Sequence, residues 1–358
     1  MAAGFIDIMA LLNKSSIFSE DNVTSSQCPN IDEFRNRIYP TVYSIITVFG
    51  LAGNGFALLV LIRSFQQRSA FQIYMFNLAV SDLLCVSTLP LRVLYYVNKG
   101  QWNYGDFLCR ISSYALYVNL YCSIYFMTAV SCTRFLAIVF PVQNMTLVST
   151  RKACIVCICI WIFICLTSSP FLVSGSYWDS STNKTKCFEP PDSRRDVHKL
   201  VILNYFSLVV GFCAPFLIIL ICSAGIIQSL LTMPSAKARK QRHSRTKAIR
   251  MIVIVMLAFL ISFMPYHIQR TIHLQMMHHT NVSCKDLIFM QKSVVITLCL
   301  AAANSCFDPM LYFFSGENFR RRLSSLRRNS SRETLRRHHS HSNGAQNRLQ
   351  HTGLGHMK

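Results

Sequence analysis

Asn304-Ser305-Cys306-Phe307-Asp308-Pro309-Met310-Leu311-Tyr312 closes a long apolar run and sets a carboxylic acid beside a proline. If that run crosses a bilayer, the acid lies in hydrocarbon, where an ionisable group is costly and is kept for a working role. The length of the run supports a crossing, and so do its companions. Apolar stretches cover Tyr39–Ile62, Phe71–Val97, Phe107–Phe140, Ala153–Val173, Leu200–Leu231, Ile249–Leu274 and Leu287–Ser315. Each reaches the roughly 20 residues that a helix needs to span a membrane. No cluster of charges interrupts them, and a chain in lipid must satisfy its own backbone, so the spans are helices. The seventh is the most diluted by polar residues, Asp308 among them.

The implied fold class is an all-α membrane protein. It is a seven-transmembrane helix bundle followed by a short amphipathic helix on the membrane surface. An N-terminal segment over 1–38 leads to the bundle over 39–315. A surface helix over 316–327 follows, where Phe319, Leu323 and Leu326 alternate with Arg320, Arg321 and Arg322. The tail over 328–358 is rich in Ser, Arg and His and reads as disordered. No cysteine follows Cys306 to carry a palmitoyl anchor. Met1–Leu12 lacks a basic start and carries Asp7, unlike a cleavable signal peptide.

A net charge of +21 raises the possibility of nucleic acid. Its distribution excludes that reading. One set of loops, with Arg134 at the end of span three, holds 22 lysines and arginines against two acids, Glu317 and Glu333. The opposite loops are balanced. This is the positive-inside pattern, which places the basic loops in the cytoplasm and the N-terminus outside. Sequons at Asn13, Asn22, Asn183 and Asn281 all fall on the outer side, and mark it as glycosylated.

Most of the 15 cysteines lie in apolar runs, where a thiol acts as a small hydrophobe. Cys28, Cys109, Cys187 and Cys284 lie in or beside outer segments and can oxidise there. Four cysteines allow three connectivities, and spacing alone does not choose. The expected pairs are Cys109 with Cys187 and Cys28 with Cys284.

Arg92 and Arg270 sit toward the outer ends of spans two and six. They either snorkel to headgroups or pair with an acid such as Glu189, or they clamp an anion. Tyr266, His267 and Arg270 fall within one helical turn, while Tyr114, Tyr117 and Tyr121 form a stripe of helical spacing. That stripe reads as packing or as a binding wall. Together the residues suggest an amphiphilic pocket with cations for acidic groups, phenols for orientation and apolar walls. Asp82 and Asp308 are both intramembrane acids, and two buried carboxylates either protonate or share a small cation. Ser123 and Asn304 would add oxygens to such a site.

Seven spans with an outer N-terminus suggest a rhodopsin-like G-protein-coupled receptor, and an ordered set of motifs strengthens this. They are Gly53-Asn54, Leu78-Ala79-Val80-Ser81-Asp82, Arg134, Trp161, Pro215, Phe259, Phe263-Met264-Pro265 and Asp308-Pro309-Met310-Leu311-Tyr312. Within that family the chain resembles the cysteinyl leukotriene receptors, type 1 more than type 2. The resemblance runs from about Phe34 to Leu323 and is strongest in Tyr114–Tyr121, Thr167–Leu172, Cys187–Pro191 and Phe263–Leu274. It implies a leukotriene-type lipid ligand lined by Arg92, Tyr117, Tyr121, Tyr266 and Arg270, with His267 in the same turn. It implies an allosteric sodium ion held by Asp82, Ser123, Asn304 and Asp308, and no other cofactor.

The resemblance also implies a relay through Ile124, Pro215, Phe259 and Phe263, bends at Pro265 and Pro309, and a switch involving Tyr312. Opening of span six would admit a heterotrimeric G protein, of the Gq/11 family, beside Arg134. Arrestin would engage the tail once it is phosphorylated, and the basic Lys237–Arg250 segment would meet membrane lipid or the G protein. Receptors for extracellular nucleotides share the His267-x-x-Arg270 pattern and Asp308, so a nucleotide or another anionic lipid mediator is the alternative ligand. Transporter and channel readings lack internal repeats, and no nucleophile–base pair or metal motif supports an enzyme. Three departures stand out. Thr133 replaces the usual acid beside Arg134, Phe263 replaces a tryptophan, and Ser223 replaces a tyrosine, which would lower coupling efficiency.

Overall fold

The computed structural model describes residues 31–63, 69–141, 148–173, 175–180, 182–188, 194–232, 242–278 and 283–315. Side chains at 194–199, 242–248, 278 and 312–315 are outside this description. Seven helices are long and apolar enough to cross a membrane. They are α1 (Asp32–Arg63), α2 (Ala70–Val97), α3 (Gly105–Val139), α4 (Thr150–Ser168), α5 (Leu200–Leu231), α6 (Ile249–Met277) and α7 (Cys284–Leu311). Helix α7 continues as Asn304–Ser315 after a break at Ala303. Serines start three of the helices. Ser69 caps α2 in a reciprocal box with Gln72, and Ser149 and Ser283 cap α4 and α7.

Helix α1 begins seven residues before the apolar run at Tyr39. Asp32 and Glu33 stand in its first turn, where the helix dipole favours acids. They pair with Arg35 and Arg37 at 3.1 and 2.6 Å. Charge pairing one turn apart thus extends the helix beyond its apolar part.

Helix α1 packs on α2, α5 on α6, α6 on α7 and α7 on α1, α4 rests on α2 and α3, and α3 runs through the middle against α2, α4, α5, α6 and α7. Large apolar side chains face outward, such as Ile221 and Phe289, each 67% exposed, whereas Asn54 and Asp82 are fully buried. This reversal suits lipid as the surrounding solvent. Helices in lipid gain little from hydrophobic sorting and associate through packing and interhelical hydrogen bonds. Such bonds run between Trp161 Nε1 and Asn77 Oδ1 at 2.9 Å (α4 to α2), and from Tyr114 to the Cys165 carbonyl at 3.1 Å (α3 to α4).

Three prolines are accommodated in two ways. Pro215 follows a π-helical turn at Ser207–Cys213, and Pro265 follows another at Phe259–Phe263. A proline cannot donate to the carbonyl four residues back, and its ring collides with it; the wider turn removes both conflicts. Pro309 leaves the Ser305 carbonyl without a helical donor, and Asn54 Nδ2 of α1 donates to it at 2.7 Å. Gly53 makes this approach possible, since a Cβ there would lie 2.9 Å from the Pro309 ring. The pair Gly53-Asn54 is therefore the seam between α1 and α7.

On the outer side a hairpin joins β1 (Tyr177–Asp179) to antiparallel β2 (Lys184–Lys186), with Trp178 opposite Thr185. Asn183 is exposed in the turn at φ 54°, a conformation asparagine tolerates. Cys187 beyond β2 is bonded to Cys109 at the start of α3, with Cα atoms 5.9 Å apart. Cys284 is also disulfide-bonded; Cys28 lies outside the described residues, as do Asn13, Asn22, Asn281 and the segments 316–327 and 328–358. Arg110 ties the turn after α4 to α3. It pairs with Asp106 at 2.5 Å and donates to the carbonyls of Leu172 and Val173 at 2.6 and 2.7 Å.

The Asn54→Leu variant leaves the Ser305 carbonyl buried without a donor, which costs about 1–3 kcal/mol. Its thermal midpoint in detergent should fall by several degrees relative to wild type, whereas a lipid-facing substitution such as Phe49→Leu should leave it unchanged.

Candidate functional site

Two polar centres lie inside the bundle. The outer centre gathers on Arg270 of α6, whose Nη1 donates to the Tyr117 hydroxyl of α3 at 3.0 Å and also to the Tyr266 hydroxyl. The guanidinium carbon lies 5.3 Å from the Tyr117 ring centre and 5.7 Å from that of Tyr266. Tyr117 itself stacks on Phe171, with centroids 3.7 Å apart. Arg92 of α2 is buried with its guanidinium 4.1 Å above the Phe188 ring, and its Nε has no partner. Both arginines are within electrostatic reach of the Tyr117 phenol. Among the described residues neither forms an ion pair; Glu189 is outside them. Arg270 therefore bonds the Tyr117 phenol, and Arg92 is held over Phe188, with neither paired to a carboxylate among the described residues.

The tyrosine stripe divides its tasks. Tyr114 joins α3 to α4, Tyr117 holds Arg270, and Tyr121 turns toward α5. Its ring lies over Gly211, where a Cβ would come within 2.6 Å. Gly211 belongs to the π turn, so the widened segment of α5 is what seats Tyr121. The next tyrosine of the stripe, Tyr125, donates to the Val210 carbonyl of the same turn at 2.9 Å.

The His267 ring meets that of Tyr266 edge-on at 5.4 Å but makes no hydrogen bond to Arg270. It points at α5, where its ring stacks on Phe212 at 4.8 Å and lies 6.0 Å from Tyr121. Its Nε2 is buried without a partner. From His267 the stacking continues inward through Phe212, Phe216 and Phe259, with centroid separations of 5.6 Å for Phe212–Phe216 and 5.9 Å for Phe216–Phe259. Phe263 meets Phe259 edge-on at 5.4 Å. Ile124 and Tyr121 belong to the same buried cluster, and Pro215 is buried beside it on α5. Phe212 and Phe216 thus belong to this stack although the motifs did not include them; two phenylalanines four residues apart on span five were the available signal.

The inner centre surrounds Asp82 and Asp308, whose buried carboxyls face each other. Asn119 Nδ2 donates to Asp82 Oδ1 at 2.8 Å, and Asn304 Nδ2 to Asp308 Oδ2 at 2.8 Å. Ser305 Oγ donates to Asn119 Oδ1 at 3.3 Å. Asp82 Oδ2, Ser123 Oγ, Asn304 Oδ1 and Asn54 Oδ1 are buried and have no hydrogen-bond partner. Unmatched oxygens on one of the acids, Ser123 and Asn304 are the type of donor suited to a small hard cation. Asn119 and Ser305 were missing from the sequence-derived set. Asn119 lies one helical turn before Ser123, a spacing that was legible in the sequence.

At the far end of α3, Arg134 lies 4.5 Å above the Phe71 ring and its Nε has no partner. The adjacent Thr133 donates back to the Ala129 carbonyl at 2.8 Å. No acid latches the arginine from the next position. Ser223 is buried on α5, and the Tyr312 side chain lies outside the described residues.

The 7 transmembrane receptor (rhodopsin family) model matches residues 53–312. The pig protein named cysteinyl leukotriene receptor 1 is 60% identical over 308 residues, covering 86% of this chain and 89% of the pig protein. The human protein of the same name is 59% identical over 309 residues, covering 86% and 90%. Human cysteinyl leukotriene receptor 2 is 42% identical over 317 residues, covering 88% of each chain.

Gly211→Ala should displace Tyr121 and lower the thermal midpoint, since overpacking a tight site costs about 1–3 kcal/mol. Combining it with Tyr121→Leu should restore most of the loss, and a purely additive double variant would refute the contact.

Proposed function

The chain belongs to the rhodopsin family of seven-transmembrane receptors, and from that premise we propose that it responds to cysteinyl leukotrienes. It is a multi-pass membrane receptor and not an enzyme. The observation that carries the ligand proposal is the outer centre, where Arg270 bonds Tyr117 and Tyr266 and buried Arg92 lies over Phe188, neither with a carboxylate partner among the described residues. A ligand with carboxylates, an amine and a long unsaturated tail matches two guanidinium groups, several phenols and aromatic walls. Arg270 would hold one acid with Tyr117 and Tyr266, and Arg92 the other. Tyr121 and His267 would form the floor that reports occupancy to Phe212.

Signalling then follows the aromatic stack. Ligand bound against Tyr121 and His267 shifts Phe212, Phe216, Phe259 and Phe263, and Ile124 and Pro215 repack with them. The π turns before Pro215 and Pro265 are the compliant points, because their hydrogen bonding is already loosened. The inner end of α6 moves away, and a heterotrimeric G protein of the Gq/11 family docks beside Arg134. Phospholipase C and calcium release follow. In this orientation the N-terminus is extracellular, with glycans on Asn13, Asn22, Asn183 and Asn281 and a second outer bridge from Cys28 to Cys284. Arrestin and anionic lipid would be partners of the basic inner segments. Pro309 and Tyr312 complete the switch on α7.

The inner centre would bind a sodium ion through Asp82, Ser123, Asn304 and Asp308. Its charge would allow both carboxyls to remain ionised. Asn119 positions Asp82 from α3 and Asn54 braces α7, so both set the distance between the acids. Agonist affinity should weaken as sodium rises in wild type, and lose that dependence in Asp82→Asn. Affinity that ignores sodium in both proteins would sink the site.

In cells lacking related receptors, leukotriene D4 should raise calcium through this chain. Arg270→Ala should lower its potency by about 30-fold or more, the counterpart of about 2 kcal/mol lost with a charged partner. Silence to leukotrienes together with a response to uridine diphosphate would replace this reading with the nucleotide one.

A further inference from the structure

Eleven free cysteines lie among the described residues, most of them single thiols in apolar surroundings. One pair differs. Cys222 Sγ of α5 donates to Cys132 Sγ of α3 across 3.7 Å. Cys222 is buried and Cys132 half-buried. One turn further along both helices, Gly225 lets α5 approach Phe135 so closely that a Cβ there would collide with the ring. The two helices are therefore in close contact at this level, as a bridge between side chains requires. The position is telling, since Cys132 precedes Thr133 and Arg134, and Cys222 precedes Ser223. Just beyond, Ile226 and Leu230 of α5 pack against Phe135 and Ile138 of α3 and Ile252 of α6.

We propose that Cys132 and Cys222 form a modification site, closed by a two-electron oxidant of the peroxide class into a disulfide that staples α3 to α5. One thiolate attacks the peroxide oxygen, giving a sulfenic acid and releasing water once protonated. The second thiol then attacks that sulfur, the S–S bond forms, and a second water leaves. Two thiols and one peroxide thus give one disulfide and two waters. Thiol exchange with a reductant reverses the bond. The staple lies in the half of the bundle that holds Arg134, opposite the Cys109–Cys187 bridge, so it would hold the α3–α5 seam next to the α6 contact. On the cytosolic side such a bond would be transient, in keeping with a sensing role.

The test uses the full-length protein in lipid nanodiscs, treated with hydrogen peroxide, alkylated with iodoacetamide and mapped by mass spectrometry. The expected result is a Cys132–Cys222 linked peptide, with alkylation lost at both residues together and regained after reduction. Cys222→Ser should leave Cys132 open to alkylation or oxidised alone, and Cys132→Ser should do the same for Cys222. The thermal midpoint of wild type should rise on oxidation, and that of either serine variant should not. Folding of every sample is checked by the intact Cys109–Cys187 peptide. Folded wild type in which both thiols stay alkylatable, or in which each is oxidised without a link, overturns the proposal.

Discussion

The structure depends on one constraint, that polar groups buried among helices in lipid must be satisfied by other helices. Asn119 answers it for Asp82, Ser305 for Asn119 and Asn54 for the Ser305 carbonyl. These bonds tie α1, α2, α3 and α7 at one level, where apolar contacts alone would give little preference between the protein's own helices and lipid tails. The same set leaves four buried oxygens without hydrogen-bond partners, and these are what the proposed cation site rests on.

The prolines follow from this constraint as well. Each removes a backbone donor inside a span, where water cannot replace it. In α5 and α6 the chain widens into a π turn; in α7 it borrows the side chain of Asn54. The first solution makes a compliant segment beneath the outer site. The second makes a brace. Their difference separates the moving helices of the proposed mechanism from the fixed α1–α7 seam.

Much of the fold was legible because membrane spans are long and strongly apolar. Their boundaries were less so. Ion pairs at Asp32–Arg35 and Glu33–Arg37 lengthen α1 beyond its hydrophobic part, and Pro170–Val173 forms a separate turn after α4. Of the outer site, Arg270, Tyr266 and Tyr117 could be proposed together from charge cost and helical spacing. The orientation of His267 was not legible, because one residue of offset from Tyr266 is about 100° of rotation on a helix. That rotation turns its ring onto Phe212 while it keeps an edge contact with Tyr266.

By itself, the sequence determined that seven helices cross a membrane, which side carries the positive charge, and which intramembrane residues are too costly to be incidental. These are sums over composition and length, insensitive to how the helices meet. Only the tertiary structure decided that Asn119 completes the acid pair, that Gly211 seats Tyr121, and that two thiols ninety residues apart touch across α3 and α5. Each of these depends on interhelical register and rotation, which are set by packing among all seven helices at once and leave no local trace in the chain.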